Sequence, residues 1–450
     1  MDMAGQVVVV VGLARSGVAA ARFLAKRGAR VVATDTKGAG ELEDEVLSLA
    51  KEGVRLELGG HQEGTVLGAD LVVVSPGVPW DLPILKAARD KGTRVIGELE
   101  LGSRFIEGPI AAITGTKGKS TTTAALGAIL EEAGLSCRVG GNIGGAVTSL
   151  LDGASRETIF VLEVSSFQLE GTASFHPKVS IFLNLTPDHL DRHGDYPSYA
   201  AAKARIFENQ EPHDFAVVNR DFPEVLSFAR RGAAQIVTFS ESGGDAFFLG
   251  DEAIFVWAGR REVLFSRSSL QVKGSHLALD LLAAAVAARL LGAPQEALAR
   301  ALRAFGGREH VLEPVAEVRG VRFVNDSKAT NVDAALKSLE AFPPYVIPIL
   351  GGRFKGGDLS LLREPVRTRA RVVLAIGEAQ AQIAEALSGT VRVVACSSLE
   401  EAVSRAFQEA KSGDVVLLAP ACASFDMFVD YAARGKAFKA AVLKIAGGGA

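Results

Sequence analysis

Cysteine is scarce in this chain, and its three copies, Cys137, Cys396 and Cys422, stand far apart with no CxxC spacing. That excludes a disulfide framework and a cysteine-built zinc site, and it fits a reducing, cytoplasmic setting. An excess of one charge is also missing. The 49 basic and 52 acidic residues are interspersed to a net charge of −3, so no basic tract invites a nucleic acid or an acidic membrane surface. Long apolar runs are absent too. Val7 to Val11 is short, lacks basic residues before it and runs at once into a glycine turn, so it reads as a strand rather than a signal peptide. Leu277 to Leu291 is interrupted by Asp280 and Arg289 and reads as a packed helix, so no membrane insertion is expected. What remains is a 450-residue chain, 48% hydrophobic, long enough for about three globular domains.

The most informative segment is Ile113-Thr114-Gly115-Thr116-Lys117-Gly118-Lys119-Ser120-Thr121. Pro109 to Thr114 has the look of a buried strand, and Lys119 to Ala133 has helical spacing of Leu126, Ile129 and Leu130. A glycine-bordered loop therefore ends at a helix N-terminus, where free N–H groups and the helix dipole favour phosphate. Lys119 would supply charge to the terminal phosphates, and Ser120 or Thr121 a hydroxyl to Mg²⁺. Only Thr116 and Lys117 separate the two glycines, so the loop is a shortened variant of the general template. A chance Gly-Lys-Ser is the bland alternative; the strand before and the helix after favour ATP.

The expected fold is α/β in three domains: Rossmann-like over 1–107, a central P-loop ATPase domain over 108–306, and a second Rossmann-like domain over 307–450. In the first, Gly12-Leu13-Ala14-Arg15-Ser16-Gly17 follows a strand and opens a helix, while Asp35 ends the next strand. Ala14 stands where a dinucleotide fingerprint has its middle glycine, which weakens an NAD reading. A pyrophosphate-bearing ligand still suits the turn, with Asp35 and Thr36 near its nucleoside and Ser75-Pro76-Gly77 facing the same crevice. In the central domain, strands are expected at Thr158 to Val164, Lys178 to Leu185, Phe215 to Asn219 and Gln235 to Phe239, then hairpins over Ala246 to Leu270 and two helices. Gly306-Gly307 marks a linker.

Further runs carry a family resemblance over nearly the whole length: Gly141-Asn142-Ile143-Gly144, Glu163-Val164-Ser165-Ser166-Phe167-Gln168-Leu169, Asn184 through His193, Asn325-Asp326-Ser327-Lys328-Ala329-Thr330-Asn331, and Pro420-Ala421-Cys422-Ala423-Ser424-Phe425-Asp426. With the phosphate loop, they resemble the Mur ligases, in the branch that adds D-glutamate. The resemblance implies that ATP phosphorylates the carboxylate of UDP-N-acetylmuramoyl-L-alanine and that the amine of D-glutamate attacks the acyl phosphate, in a cytoplasmic, monomeric enzyme. It implies a catalytic set of Lys119, Glu163, His189 and Lys203. Mg²⁺ would be held by Ser120, Thr121, Glu163, His189 and Lys203, the lysine carrying a carbamate. ATP would meet Gly115 to Thr121, His310, Asp326 and Lys328. The UDP-substrate would meet Arg15, Ser16, Gly17, Asp35, Thr36, Ser75, Gly77 and Asn142. D-glutamate would meet Thr330, Lys355, Ser424 and Tyr431, and closure of the third domain on the second would shield the acyl phosphate from water.

Three positions depart from the family pattern. Val311 follows His310 where many relatives have arginine, with Arg308 nearby as a substitute, and Leu277 and Asp280 stand where relatives often carry asparagine. An ionised aspartate only accepts hydrogen bonds, whereas asparagine also donates, so base recognition is expected to change. Competing readings are another amide ligase of the same fold, such as a folylpolyglutamate synthase, an NAD-dependent oxidoreductase, and a non-catalytic nucleotide-binding module.

Overall fold

The computed structural model describes residues 3–42, 44–271, 274–307 and 309–447. Its first sheet holds β1 (Val7–Val11), β2 (Arg30–Asp35), β3 (Arg55–Leu58), β4 (Leu71–Val74) and β5 (Arg94–Gly97), all parallel, in the order β3-β2-β1-β4-β5. The valine-only β1 is central and buried on both faces, the setting in which continuous apolar strands occur.

The second sheet is built from β6 (Ile110–Thr114), β7 (Cys137–Gly141), β8 (Ile159–Glu163), β9 (Val179–Phe182), β10 (Phe215–Asn219), β11 (Gln235–Phe239), β12 (Ala246–Leu249), β13 (Glu252–Trp257) and β14 (Arg260–Ser266). They run in the order β14-β13-β12-β11-β10-β9-β6-β8-β7, parallel except for the antiparallel β12-β13-β14 end. Helices Lys119–Glu132 and Ser275–Leu290 pack on each other over this sheet. Its strands therefore aim their C-terminal ends at one edge, the edge where open α/β sheets receive ligands.

These two sheets belong to one compact unit, Met1–Leu270 with Ser275–Phe305. A single core runs through both, from Val8, Phe23 and Leu99 to Val147, Phe160 and Leu162. Glycines bring the joint close. The Gly97 N–H donates to the Gly171 carbonyl at 2.8 Å, and a Cβ on Gly171 would stand 2.7 Å from the Gly97 nitrogen, so only glycine fits. Beside it the buried Glu100 carboxylate accepts from the N–H groups of Ala173, Ser174 and Phe175, the Ser174 hydroxyl and Arg104. Those donors outweigh burial and hold Glu100 below the usual carboxylate range.

The other unit, Gln271–Gly274 with Gly306–Ala450, carries β15 (Glu313–Val318), β16 (Val321–Asn325), β17 (Val346–Gly351), β18 (Val373–Ile376), β19 (Val393–Ala395) and β20 (Val415–Leu418) in the order β15-β16-β20-β17-β18-β19. Only β15 is antiparallel to its neighbour, and apolar cores cover both faces. Among the described residues no helix is long and apolar enough to cross a membrane.

Candidate active site

The phosphate loop leaves the buried β6 and is fastened from behind by Asn184. The Thr116 N–H donates to the Asn184 backbone carbonyl at 3.0 Å, and the Lys117 peptide exchanges bonds with the Asn184 amide at 2.8 and 3.0 Å. The Thr116 hydroxyl donates to the Thr186 carbonyl at 3.1 Å and lies 3.0 Å from the Tyr199 hydroxyl. Thr116 and Lys117 thus shape the loop. Gly118 has φ 83°, and a Cβ there would fall 2.2 Å from Asp280 Oδ1, so the turn into the helix requires glycine. Ser120 and Thr121 follow in the first turn of the Lys119–Glu132 helix.

Lys119 folds its Nζ back over the loop, donating to the Gly115 and Thr116 carbonyls, both at 2.9 Å. Lys203 reaches the same Gly115 carbonyl at 2.8 Å. Spacing alone makes Lys203 a solvated helix lysine; the structure buries it, 2% exposed, with its ammonium 4.9 Å from the Tyr199 ring centre. Desolvation, then the neighbouring Lys119 charge, bring its pKa down to about 7. Burial also lowers that of Lys119, against the pull of Glu163, Asp188 and Asp280.

Glu163 ends β8 in register with Ile113 of β6 and Gly141 of β7. It is buried, its Oε1 accepts from the Asn142 amide at 2.8 Å, and its Oε2 has no hydrogen-bond partner. An orphaned anionic oxygen beside two lysines and the Ser120 turn suits a hard divalent cation. His189 sits on the same side in the left-handed region, φ 51°, its half-exposed ring 5.0 Å from Phe167. Asp188, Asn184 and Tyr199 are the members of this site that sequence reasoning passed over. The signal for Asn184 and Asp188 lay inside the Asn184 to His193 run, and Tyr199 stands one turn before Lys203.

In the first sheet, Asp35 fixes the glycine turn by accepting from the Leu13 N–H at 2.7 Å and the Lys37 N–H at 3.0 Å. Ser75 donates to the Gly12 carbonyl at 2.8 Å. Gly17 is buried and Ser16 half-buried, while Arg15, Thr36 and Gly77 are exposed along the crevice at the strand ends. Two arginines link this crevice to the phosphate loop's sheet. Arg15 donates to the Asn142 carbonyl at 3.2 Å, and Arg192, one turn after His189, donates to the Val78 carbonyl at 2.8 Å.

The second unit gathers its own set at the C-terminal ends of β16, β17 and β20. Asp326 is buried, accepts from Ser338 and from the Leu312 N–H, and is raised by burial to about 6. His310 is buried, its Nδ1 2.9 Å from the Asn325 amide, and burial lowers its pKa. Its carbonyl accepts from the Lys328 N–H at 3.1 Å. Thr330 is half-buried, Ser424 buried, and Lys355 exposed with its ammonium 5.2 Å from the Phe425 ring centre. The Tyr431 carbonyl accepts from Ser327 at 2.7 Å. Behind these loops the buried Arg434 donates to Ser327 Oγ and to the carbonyls of Ser327, Gly351 and Cys422 at 2.9 to 3.4 Å, and desolvation lowers it to about 10. Arg308 lies outside the described residues.

Comparison with known proteins agrees with this layout. Residues 6–97 match the Mur ligase MurD-like N-terminal domain, 113–288 the Mur ligase middle domain, and 307–422 the Mur ligase glutamate ligase domain. Relatives named UDP-N-acetylmuramoylalanine–D-glutamate ligase include one from Koribacter versatilis, 45% identical over 99% of this chain and 99% of its own. Another, from Acidobacterium capsulatum, is 46% identical over 98% of this chain and 97% of its own. Among solved structures, MurF ligase from Thermotoga maritima in complex with ADP has a TM-score of 0.59 at 18% identity, covering 98% of this chain and 96% of its own. At that identity the likeness concerns the fold.

Proposed function

The chain belongs to the Mur ligase family, and from that premise we infer that it is an ATP-dependent ligase joining D-glutamate to UDP-N-acetylmuramoyl-L-alanine in peptidoglycan precursor synthesis. The observation that carries the chemistry is the meeting of Lys119 and the unpartnered Glu163 Oε2 at one helix N-terminus. A carboxylate is a poor electrophile, and phosphorylation gives it a leaving group. Transfer of the γ-phosphoryl needs positioning and charge neutralisation more than covalent help. Lys119 and the N–H groups opening its helix would hold the β- and γ-phosphates. Ser120 or Thr121, Glu163 and His189 would hold Mg²⁺, which when bound neutralises the phosphate oxygens.

Lys203 would complete that ligand set as a carbamate. A pKa of about 7 leaves much of its amine neutral at physiological pH. The nitrogen lone pair then forms a bond to the carbon of CO₂, the proton leaves to solvent, and a buried cation becomes an oxygen donor. The UDP moiety would lie along Arg15 to Gly17, Asp35, Thr36, Ser75 and Gly77, with Asn142 toward the reacting end. Thr330, Lys355, Ser424 and Tyr431 would hold D-glutamate, with Asp326 and Lys328 serving the nucleotide.

The test is phosphate release from Mg²⁺-ATP and UDP-N-acetylmuramoyl-L-alanine, with D-glutamate, L-glutamate or L-lysine added in turn. Response to D-glutamate alone is expected; response to another amino acid would place the chain in a sister branch. Lys119→Ala should abolish turnover while leaving affinity for the UDP-substrate within about twofold, since Lys119 adds no contact in the first sheet's crevice.

A further inference from the structure

Asp280 is a buried acid at the phosphate loop that the mechanism above does not use. It lies in the second turn of the Ser275–Leu290 helix, buried among Leu281, Leu282 and a run of alanines, with its carboxylate against the Cα of Gly118. Among the described residues no side chain or backbone N–H donates to that carboxylate. The phosphate-loop helix brings Lys119 at its start and Glu131 and Glu132 at its far end, and Arg289 stands in the last turn of Asp280's own helix. Strands β9, β10, β11 and β12 carry no ionisable residue. Helix Gln295–Ala304 brings Glu296, Arg300 and Arg303, of which Arg300 pairs with Glu132 at the far end of the phosphate-loop helix. His276 lies one turn earlier on the same helix, itself lowered by burial. Lys119 is the charge that acts on Asp280, and desolvation outweighs it, raising the carboxyl to about 7.

A nucleotide seated on this loop would bring phosphate charge beside a desolvated carboxylate already short of partners. Two anions in one low-dielectric corner repel, and protonation relieves the conflict most cheaply. The neutral acid also presents one O–H donor and one carbonyl acceptor, the pair an asparagine amide offers; the ionised form can only accept. Resting on the ATP reading of the phosphate loop, we propose that Asp280 is a specificity-determining residue that serves nucleotide as a neutral acid, so that binding draws a proton from solvent onto its carboxylate.

The sign follows from linkage. The nucleotide-bound form holds the proton more tightly, so affinity is full when Asp280 is already protonated and falls as pH rises past its value in the free protein. Titration calorimetry of the full chain with Mg²⁺-ADP should show affinity falling about a hundredfold between pH 6 and pH 9. At pH 8, repeating it in buffers of different ionisation enthalpy should show uptake of close to one proton per nucleotide. Asp280→Asn keeps the shape and both hydrogen-bonding roles; Lys203 titrates over the same range in both proteins, so the variant's affinity should fall far less steeply than the natural chain's and its proton uptake should be lower by close to one, the remainder belonging to Lys203. Parallel loss of affinity in both proteins, or no uptake by the natural chain, overturns the role of Asp280 and leaves the nucleotide site standing. No binding by either protein at any pH sinks the ATP reading itself.

Discussion

At the level of single residues, the most consequential feature is a lysine kept where a lysine is costly. Lys203 lies on an alanine-rich helix, Tyr196–Ala204, whose small side chains give no periodic contrast between a wet and a dry face, so its burial could not be read from spacing. Its folded pKa of about 7 lies below the ordinary value of 10.5. The unfolded chain therefore holds more protons between those values, the destabilisation is complete below about pH 7, and it fades as pH climbs toward the ordinary lysine range. Lys203→Met should raise the melting temperature near pH 6, with a smaller gain near pH 10, and should lose ligase activity. A melting temperature that drops at both pH values would contradict the burial argument. Activity of the natural chain should decline in CO₂-depleted buffer and return with bicarbonate. Glu163, by contrast, was legible: an acid ending an apolar strand is conspicuous. Glu163→Gln should weaken Mg²⁺ binding by at least about tenfold, measured by titrating the ion against nucleotide-loaded protein.

Among the elements, interior strands were legible and several rim strands were not, although the rim strands β14 and β19 fell within expected runs. The apolar runs beginning near Val7, Leu71, Pro109, Phe215 and Val346 reappear within a residue or two as strands. Those that escaped were β3, β5, β7 and β15, every one at the border of its sheet. A border strand has one flank in water and carries charge there, as Arg55-Leu56-Glu57-Leu58 does, so its apolar signal is diluted. The C-terminal helix Tyr431–Gly447 shows what a buried polar residue can do for an element. Arg434 fastens it to three loops through four hydrogen-bond acceptors, and nothing in the local pattern distinguishes it from a surface arginine. Arg434→Ala should cost about 3 kcal/mol in urea unfolding, because the acceptors lose their donor inside the protein. It should also raise the KM for D-glutamate and, because Ser327 lies between Asp326 and Lys328, weaken nucleotide binding; unchanged values of both would argue that the loops do not depend on it.

For the molecule as a whole, the order of motifs along the chain was legible, and the joining of the first two sheets was not. Nothing near Gly97, Glu100 or Gly171 looks unusual in one dimension, because the bonds there connect residues about 70 positions apart. The second unit, with an apolar core on each face of its sheet, should fold as an isolated 306–447 fragment with a cooperative thermal transition; a fragment that melts without one would contradict the separation of cores. The glycine seam and the Glu100 clasp give the first unit the character of a gauge block. On the proposed seating of the uridine end at the Asp35 crevice, the clamped joint between that crevice and the bend at Lys119 would gauge the length of the bound substrate. A UDP-sugar lacking the alanine would fall short of the phosphoryl group and one bearing a dipeptide would overshoot, so both should occupy the crevice without releasing phosphate. Stem length would then be sorted by geometry, before any side chain inspects the peptide.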